Sequence, residues 1–206
     1  MIEVLIGRPG SGKSYELTAR ALEQADRDRL VFTNYGLVHP NVFQFEPSQL
    51  LDLPPGLVVI DEAHLWFPAR MALQLPMSWL AGMSQTRKKG WDMLLCAQHE
   101  SRLDRVIRDV ASWMWLCRAY GPQEGRPWLF TSTCWEPEKF RRHKEHVARR
   151  YRRFDPRVAA AYDTHETLTQ ADHTQKKADA YRADGSPAPA ARGGRRNSSV
   201  LEAGGQ

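Results

Sequence analysis

Short, largely apolar runs alternate with amphipathic stretches along most of the chain. Ile2 to Ile6, Leu57 to Ile60 and Trp91 to Gln98 are such runs. Runs without polar alternation predict strands buried on both faces, as in a parallel sheet. Between them, Tyr15 to Ala25 places Leu17, Ala21, Leu22 and Ala25 on one side, which predicts a helix packed on that sheet. Leu30 to Thr33 reads as a short strand, Asn34-Tyr35-Gly36 as a turn, and Val42 to Phe45 as a short strand or extended loop. Pro47, Pro54 and Pro55 leave room only for a helical turn around Gln49 to Leu51. Met71 to Lys89 predicts a loop and a helix with Trp79, Leu80 and Met83 on one face, stopped at Gly90. Ser101 to Ala111 predicts a further helix, whose apolar face is Leu103, Val106, Ile107 and Val110. Ser112 to Cys117 and Pro127 to Trp135 read as two strands joined by the turn-rich Gly121 to Gly125, a hairpin at the sheet edge. Strand–helix–strand order predicts parallel crossovers, and hence an α/β fold with a mainly parallel central sheet flanked by helices.

The pattern fades near Ala161-Tyr162-Asp163-Thr164, so residues 1–165 are expected to form one domain and residues 166–206 a polar tail. Gly185 to Gln206, rich in Ala, Pro, Gly, Ser and Arg, is expected to be disordered. A chain of 206 residues suits one domain with an extension. Its net charge of +5 and pI near 9.3 lean toward a polyanionic partner. Cys96, Cys117 and Cys134 are odd in number and lack CxxC or His spacing, which argues against a disulfide framework or zinc site and for a reducing compartment. A core strand starting at residue 2 leaves no room for a signal peptide, and no apolar run is long enough to span a bilayer.

Candidate chemistry centres on Gly7-Arg8-Pro9-Gly10-Ser11-Gly12-Lys13-Ser14, directly after the first apolar run. This is the spacing of a phosphate-binding loop. The strand ends, the backbone turns its N–H groups over the phosphates, and a helix opens with its positive dipole end toward the anion. Gly7, Arg8, Pro9, Gly10, Ser11, Gly12, Lys13, Ser14 and Tyr15 are the candidate nucleotide-binding residues, with Lys13 reaching the terminal phosphates and Ser14 ligating Mg²⁺. Leu57 to Ile60 ends in Asp61-Glu62, the form of a central strand delivering carboxylates to the active edge: Asp61 for Mg²⁺, Glu62 as general base for water. His64 either senses nucleotide or lies at the surface of the turn, the structural role being favoured. Gln98, at the end of its strand, is a candidate γ-phosphate sensor, the alternative being a helix cap. Arg102, Arg105 and Arg108 recur at three-residue spacing as a rail, either for nucleic-acid phosphates, or to supply an arginine finger across a subunit boundary, or as a solvated face paired with Asp104 and Asp109. Lys139 to Arg157 holds Lys139, Arg141, Arg142, Lys144, Arg149, Arg150, Arg152, Arg153 and Arg157 against Glu145 and Asp155. This run is open to three readings: DNA phosphate contact, an acidic neighbouring subunit, or a solvated helix. The aromatic residues of the two late strands are expected in the core rather than stacked on bases.

Taken together, the loop Gly7 to Ser14, the strand ending Asp61-Glu62-Ala63-His64 with Trp66-Phe67-Pro68, and Arg87-Lys88-Lys89-Gly90-Trp91-Asp92 leading into Gln98 resemble the zonula occludens toxin (Zot)-like family of phage ATPases. Asp104-Arg105-Val106-Ile107-Arg108, Phe154-Asp155-Pro156-Arg157 and Tyr162-Asp163-Thr164 also fit that pattern, so the resemblance covers about residues 1–165. Related to FtsK/HerA-type motors, the family implies a RecA-like core, ATP and Mg²⁺ as cofactors, and a homo-oligomeric ring that moves viral DNA. Arg87, Arg105 and Arg108 are the candidates for an arginine finger. Two roles follow: genome packaging, favoured by length and by the absence of a membrane-spanning run, and assembly or export of a filamentous phage with a separate membrane partner. Capsid or membrane-associated virion proteins are then the expected partners. The expected location is the host bacterial cytoplasm, with work at a virion vertex or the inner face of the membrane, or retention in the virion. A nucleotide-dependent scaffold that recruits virion proteins is a rival reading; a small-molecule kinase is another, poorly suited to an arginine-rich end.

Overall fold

A computed structural model describes residues 1–69, 77–122, 127–140 and 145–162. The strands are β1 (Ile2–Ile6), β2 (Val31–Thr33), β3 (Val42–Gln44), β4 (Gly56–Ile60), β5 (Trp91–Ala97), β6 (Trp113–Tyr120), β7 (Leu129–Trp135) and β8 (Ala148–Arg153). They form one sheet in the order β3-β2-β4-β5-β1-β6-β7-β8. From β3 to β6 all pairings are parallel, and β6-β7-β8 are antiparallel. The helices are α1 (Lys13–Ala25), α2 (Met77–Ser84), α3 (Thr86–Lys89), α4 (Arg105–Val110) and α5 (Pro156–Ala160). The α/β class with a mainly parallel sheet is therefore as expected.

Every residue of β1 and β4 is buried, which is why both read as apolar runs. One face of the sheet, with Val4, Ile6, Val58, Ile60, Met93 and Leu95, packs against Phe67, Trp79, Met83 and Ile107. The opposite face, with Leu5, Val59, Cys96 and Trp115, packs against Leu17, Ala21 and Ala25 of α1. A third cluster joins Tyr15 and Ala19 of α1 to Phe130 of β7 and Val158 of α5.

Three local expectations need correction. The helix over 101–111 is broken: Glu100–Arg102 is a 3-10 turn, Leu103 is extended, and α4 begins at Arg105. The break has a clear cause. Asp104 is wholly buried, its backbone N–H donates to the Phe67 carbonyl (2.9 Å), and its carboxylate caps α4 by accepting from the Val106 N–H (2.7 Å). Arg102 thus leaves the row of Arg105 and Arg108, and no continuous rail forms. Secondly, the hairpin β6–β7 is not the edge of the sheet, because β8 pairs with β7. Thirdly, Ala148–Arg153 is that edge strand, so the solvated-helix reading of the basic run fails there. The expected turn over 121–125 and the basic run extend into residues 123–126 and 141–144, which lie outside the described residues, as does the tail 166–206.

Candidate active site

The phosphate-loop sequence bridges β1 and α1. Gly10 (φ +76°) and Gly12 (φ +80°) take the left-handed conformation that disfavours a side chain, and a Cβ on Gly12 would lie 2.3 Å from the Phe130 ring. Lys13 is buried at the start of α1, and its ammonium donates to the Arg8 carbonyl (3.2 Å), which also accepts from the Ser11 N–H (3.1 Å). The loop therefore closes on its own lysine. Ser14 is half-buried beside it, whereas Arg8, Pro9 and Gly10 are exposed. The Tyr15 side chain turns away into packing: its ring stacks on Phe130 at 4.2 Å, and its hydroxyl donates to the Arg153 carbonyl (3.2 Å) and accepts from the Asp155 N–H (2.6 Å). Among the nine loop candidates, Tyr15 is the one whose side chain serves the fold.

The strand carrying Gln98 lies between the strands carrying the loop and the Asp61-Glu62 pair. Ile6 is level with Ala97, and Ile60 with Leu95, so Gly7, Gln98, Asp61 and Glu62 emerge together at the carboxyl edge of the parallel strands. Asp61 is held from several sides. Asn34, just past β2, donates from its amide to the Asp61 carbonyl (3.0 Å) and accepts the Asp61 N–H (2.8 Å). The Asp61 Oδ1 accepts from the Glu62 N–H (2.8 Å) and from the Cys96 thiol (2.9 Å). Burial and the neighbouring Asp61 carboxylate push the Cys96 thiol well above its ordinary range, so it stays protonated and remains a donor.

Glu62 has φ +48°, one of two non-glycine residues in the left-handed region among the described residues. Its carbonyl accepts from the Leu65 N–H (2.8 Å), starting the 3-10 turn Ala63–Leu65. The Glu62 Oε2 lies 3.1 Å from His64 Nδ1. Burial pushes the Glu62 carboxyl up, but the hydrogen bond and charge of His64, the charge of Lys13 and a hydrogen bond from Gln98 outweigh it and leave it below its ordinary value. A carboxylate ionised at neutral pH, within the influence of both a loop lysine and a strand-end amide, is equipped to accept a proton from water. Gln98 in turn accepts from Arg102 (2.8 Å), which fixes the amide oxygen.

Among the described residues none of the candidate arginines Arg87, Arg105 and Arg108 bonds Lys13, Asp61, Glu62 or Gln98. Arg87 is exposed on α3, before β5, and so sits at the opposite edge of the sheet from Gln98. Arg105 is exposed on α4 and pairs with Asp109 (3.4 Å). Arg108 is half-buried, its Nε without a hydrogen-bond partner among the described residues. Sequence reading overlooked Asn34 and Cys96. Both follow or end strands that flank β4, a proximity that only the strand order reveals.

A nucleotide-type loop, an acid pair and a polar strand end sharing one sheet edge, with the Gln98 strand inserted between the other two, define the RecA-like P-loop NTPase fold. The family model for zonular occludens toxin (Zot) matches residues 42–167, and the chain belongs to that family. In fold it is similar to the N-terminal domain of zonular occludens toxin from Neisseria meningitidis (20% identity, 79% of this chain and 98% of that chain, TM-score 0.57). It is also similar to B204, the DNA-packaging ATPase from Sulfolobus turreted icosahedral virus (13% identity, 75% and 98%, TM-score 0.52). The genome packaging NTPase B204 from Sulfolobus turreted icosahedral virus 2, in complex with ATP-gammaS, is a further likeness (12% identity, 74% and 96%, TM-score 0.51). No curated protein matches the chain.

Proposed function

We propose that this protein is a phage ATPase that hydrolyses ATP to move viral DNA, acting as a homo-oligomeric ring. The observation that carries this reading is the convergence of Lys13, Glu62 and Gln98 at one sheet edge, where the first and last both act on the Glu62 carboxyl. In it, the loop amides and Lys13 bind the phosphates, and Glu62 takes a proton from the water that attacks the γ-phosphorus. Gln98 holds that water and reports the γ-phosphate to the Arg102 turn. Asn34 and Cys96 act through Asp61 as positioning residues.

Mg²⁺ fits the donor set. Asp61 Oδ1 is held by protein donors, while Oδ2 has no protein partner among the described residues, and Ser14 stands half-buried in the first turn of α1. Mg²⁺ at such sites takes one or two protein oxygens besides phosphates and water, and when bound it neutralises charge developing on the phosphate oxygens. Arg87, Arg105 and Arg108, none of which bonds Glu62 among the described residues, are the candidates to reach a neighbouring subunit's site, with Arg105 the most exposed of those on α4.

Two viral roles fit such a motor. Genome packaging, the role of B204, whose fold is similar, is the favoured one; assembly or export of a filamentous phage with a separate membrane partner is the alternative. Capsid or membrane-associated virion proteins would be its partners, in the host cytoplasm or at the membrane face. Among the described residues no helix is long and apolar enough to cross a membrane.

ATP turnover with and without single- and double-stranded DNA, across a salt series, tests the reading. A DNA-dependent rise that fades with salt is expected; turnover indifferent to DNA would instead indicate the recruiting scaffold. Lys13→Ala is expected to abolish turnover. Glu62→Gln is expected to bind ATP and lower hydrolysis by about 100-fold or more, and undiminished turnover in it would remove Glu62 from the role of base.

A further inference from the structure

Strand alternation divides the basic run of β8 into two chemically distinct sets. Residues paired across antiparallel strands share a face. On the α1 side, Arg152 is committed to protein: it bonds Glu16 (2.9 Å) and Glu23 (2.7 Å). On that side too, Arg150 stands over the Trp115 ring at 5.1 Å.

The other face carries three rows: Tyr120–Leu129–Arg153, Arg118–Thr131–Tyr151 and Leu116–Thr133–Arg149. Arginine and tyrosine therefore oppose one another across β7. Rows two residues apart are ~7 Å apart along the strands, and β6 and β8 are ~10 Å apart across the sheet. Tyr151 is 66% exposed and Tyr120 44%, and Arg118, Arg149 and Arg153 are all exposed. Arg118 and Arg153 have no ion pair among the described residues, while Arg149 is steadied by a bond from its Nε to the Thr133 hydroxyl (3.2 Å). These rows contain no carboxylate. Below them the face is closed by Phe140, packed on Trp135 at 5.8 Å.

We infer that this open face of β6-β7-β8 binds single-stranded DNA, with phosphates on Arg118, Arg149 and Arg153 and bases stacked on Tyr120 and Tyr151. The inference rests on the DNA-motor reading and deepens it by assigning the surface and the strand type. Positive charge alone fits any polyanion, but exposed tyrosine rings set among the arginines offer stacking, which only unpaired bases can use. The backs of the same residues lead to the nucleotide loop. Arg152 and the Arg153 carbonyl are bonded to Glu16 and Tyr15, the two residues after Ser14. A strand loaded on one face by DNA is thus tied through its other face to the first turn of α1.

The test is fluorescence anisotropy with a labelled oligothymidylate and a duplex of equal length, over a salt series, for the wild type and for variants whose melting temperature is retained. Tyr151→Ala is expected to weaken oligothymidylate binding by about 5- to 150-fold while leaving the duplex nearly unchanged. Combined Arg118→Ala, Arg149→Ala and Arg153→Ala should flatten the slope of log affinity against log salt by about 2. Arg150→Ala removes the same charge from the opposite face and should leave both readouts in place. Unaltered binding in the Tyr151 and triple variants, a Tyr151→Ala loss shared equally by the duplex, or an Arg150→Ala loss as large as the triple's would each overturn the assignment while leaving the motor reading standing. A wild type that binds neither probe would overturn both.

Discussion

The parallel half of the sheet and its antiparallel wing solve the burial problem in opposite ways. In β1, β4 and β5 both faces are covered and the side chains are apolar except Glu3 and Asp92, which are both ion-paired, while the candidate site residues Gly7, Asp61 and Gln98 sit at the strand ends. The wing is covered mainly on the α1 side, and there the contact is partly ionic: Arg20 and Arg152 both bond Glu16, and Arg20, which also reaches Glu3 of β1 (2.9 Å), stands over Trp115 at 4.2 Å. The parallel strands position chemistry at an edge. The wing presents it on a face, and a buried carboxylate fastens it to the helix that follows the phosphate loop.

Removing that carboxylate is the strongest way to break the contrast. Glu16→Ala would leave two arginines, one of them almost fully buried, without their shared partner, at an expected cost of about 3–5 kcal/mol in urea denaturation. Acid should do the same by titration. Burial pushes the Glu16 carboxyl up, but Arg20 and Arg152 outweigh it and hold it below its ordinary 4.5. Its stabilisation is therefore full above about pH 4.5 and is lost as pH falls through the lowered folded value. Denaturation midpoints measured from pH 7 downward should show wild type and Glu16→Gln converging in that window.

Asn34→Ala touches the other half. It removes the two-way bond to the Asp61 backbone and is expected to cost about 1–3 kcal/mol. ATP turnover should fall further than the folded fraction does, measured on the same preparations. The smallest effect belongs to the open face: Arg149→Ala should change stability by no more than about 0.5 kcal/mol. A larger loss would mean that the wing depends on this face for its fold.

The two halves also differ in how legible they are in sequence. Strands buried on both faces announce themselves as apolar runs, which is why Ile2 to Ile6, Leu57 to Ile60 and the run from Trp91 stand out unaided. In β8 the inward positions are Arg150 and Arg152, and nothing local distinguishes them from outward Arg149 and Arg153. Arg150 stays exposed over the Trp115 ring, and the half-burial of Arg152 is made possible by Glu16, 136 residues earlier. The break at Asp104 was hidden for a related reason: Leu103, Val106, Ile107 and Val110 keep helical spacing, while the cap bond and the contact to Phe67 that stop the helix are tertiary. At the candidate site, the loop and the acid pair are contiguous motifs and were readable. The support from Asn34 and Cys96 depends on β2 and β5 flanking β4, which is topology.

The central place of β1 has a consequence for synthesis. The phosphate loop hangs from a strand whose two neighbours come much later: Ile2 bonds Ser112, 110 residues away, and Tyr15 bonds Arg153, 138 residues away. At translation speeds of about 5–20 residues per second, β1 waits roughly 5 to 20 s for β6 to emerge. Until β5 emerges it is an unpaired, largely apolar strand, and from then until β6 emerges one of its edges stays open, to chaperones and to the same strand of other nascent copies. The packing of Tyr15, just after the loop, against Phe130 and Arg153 can form only once the wing has been made.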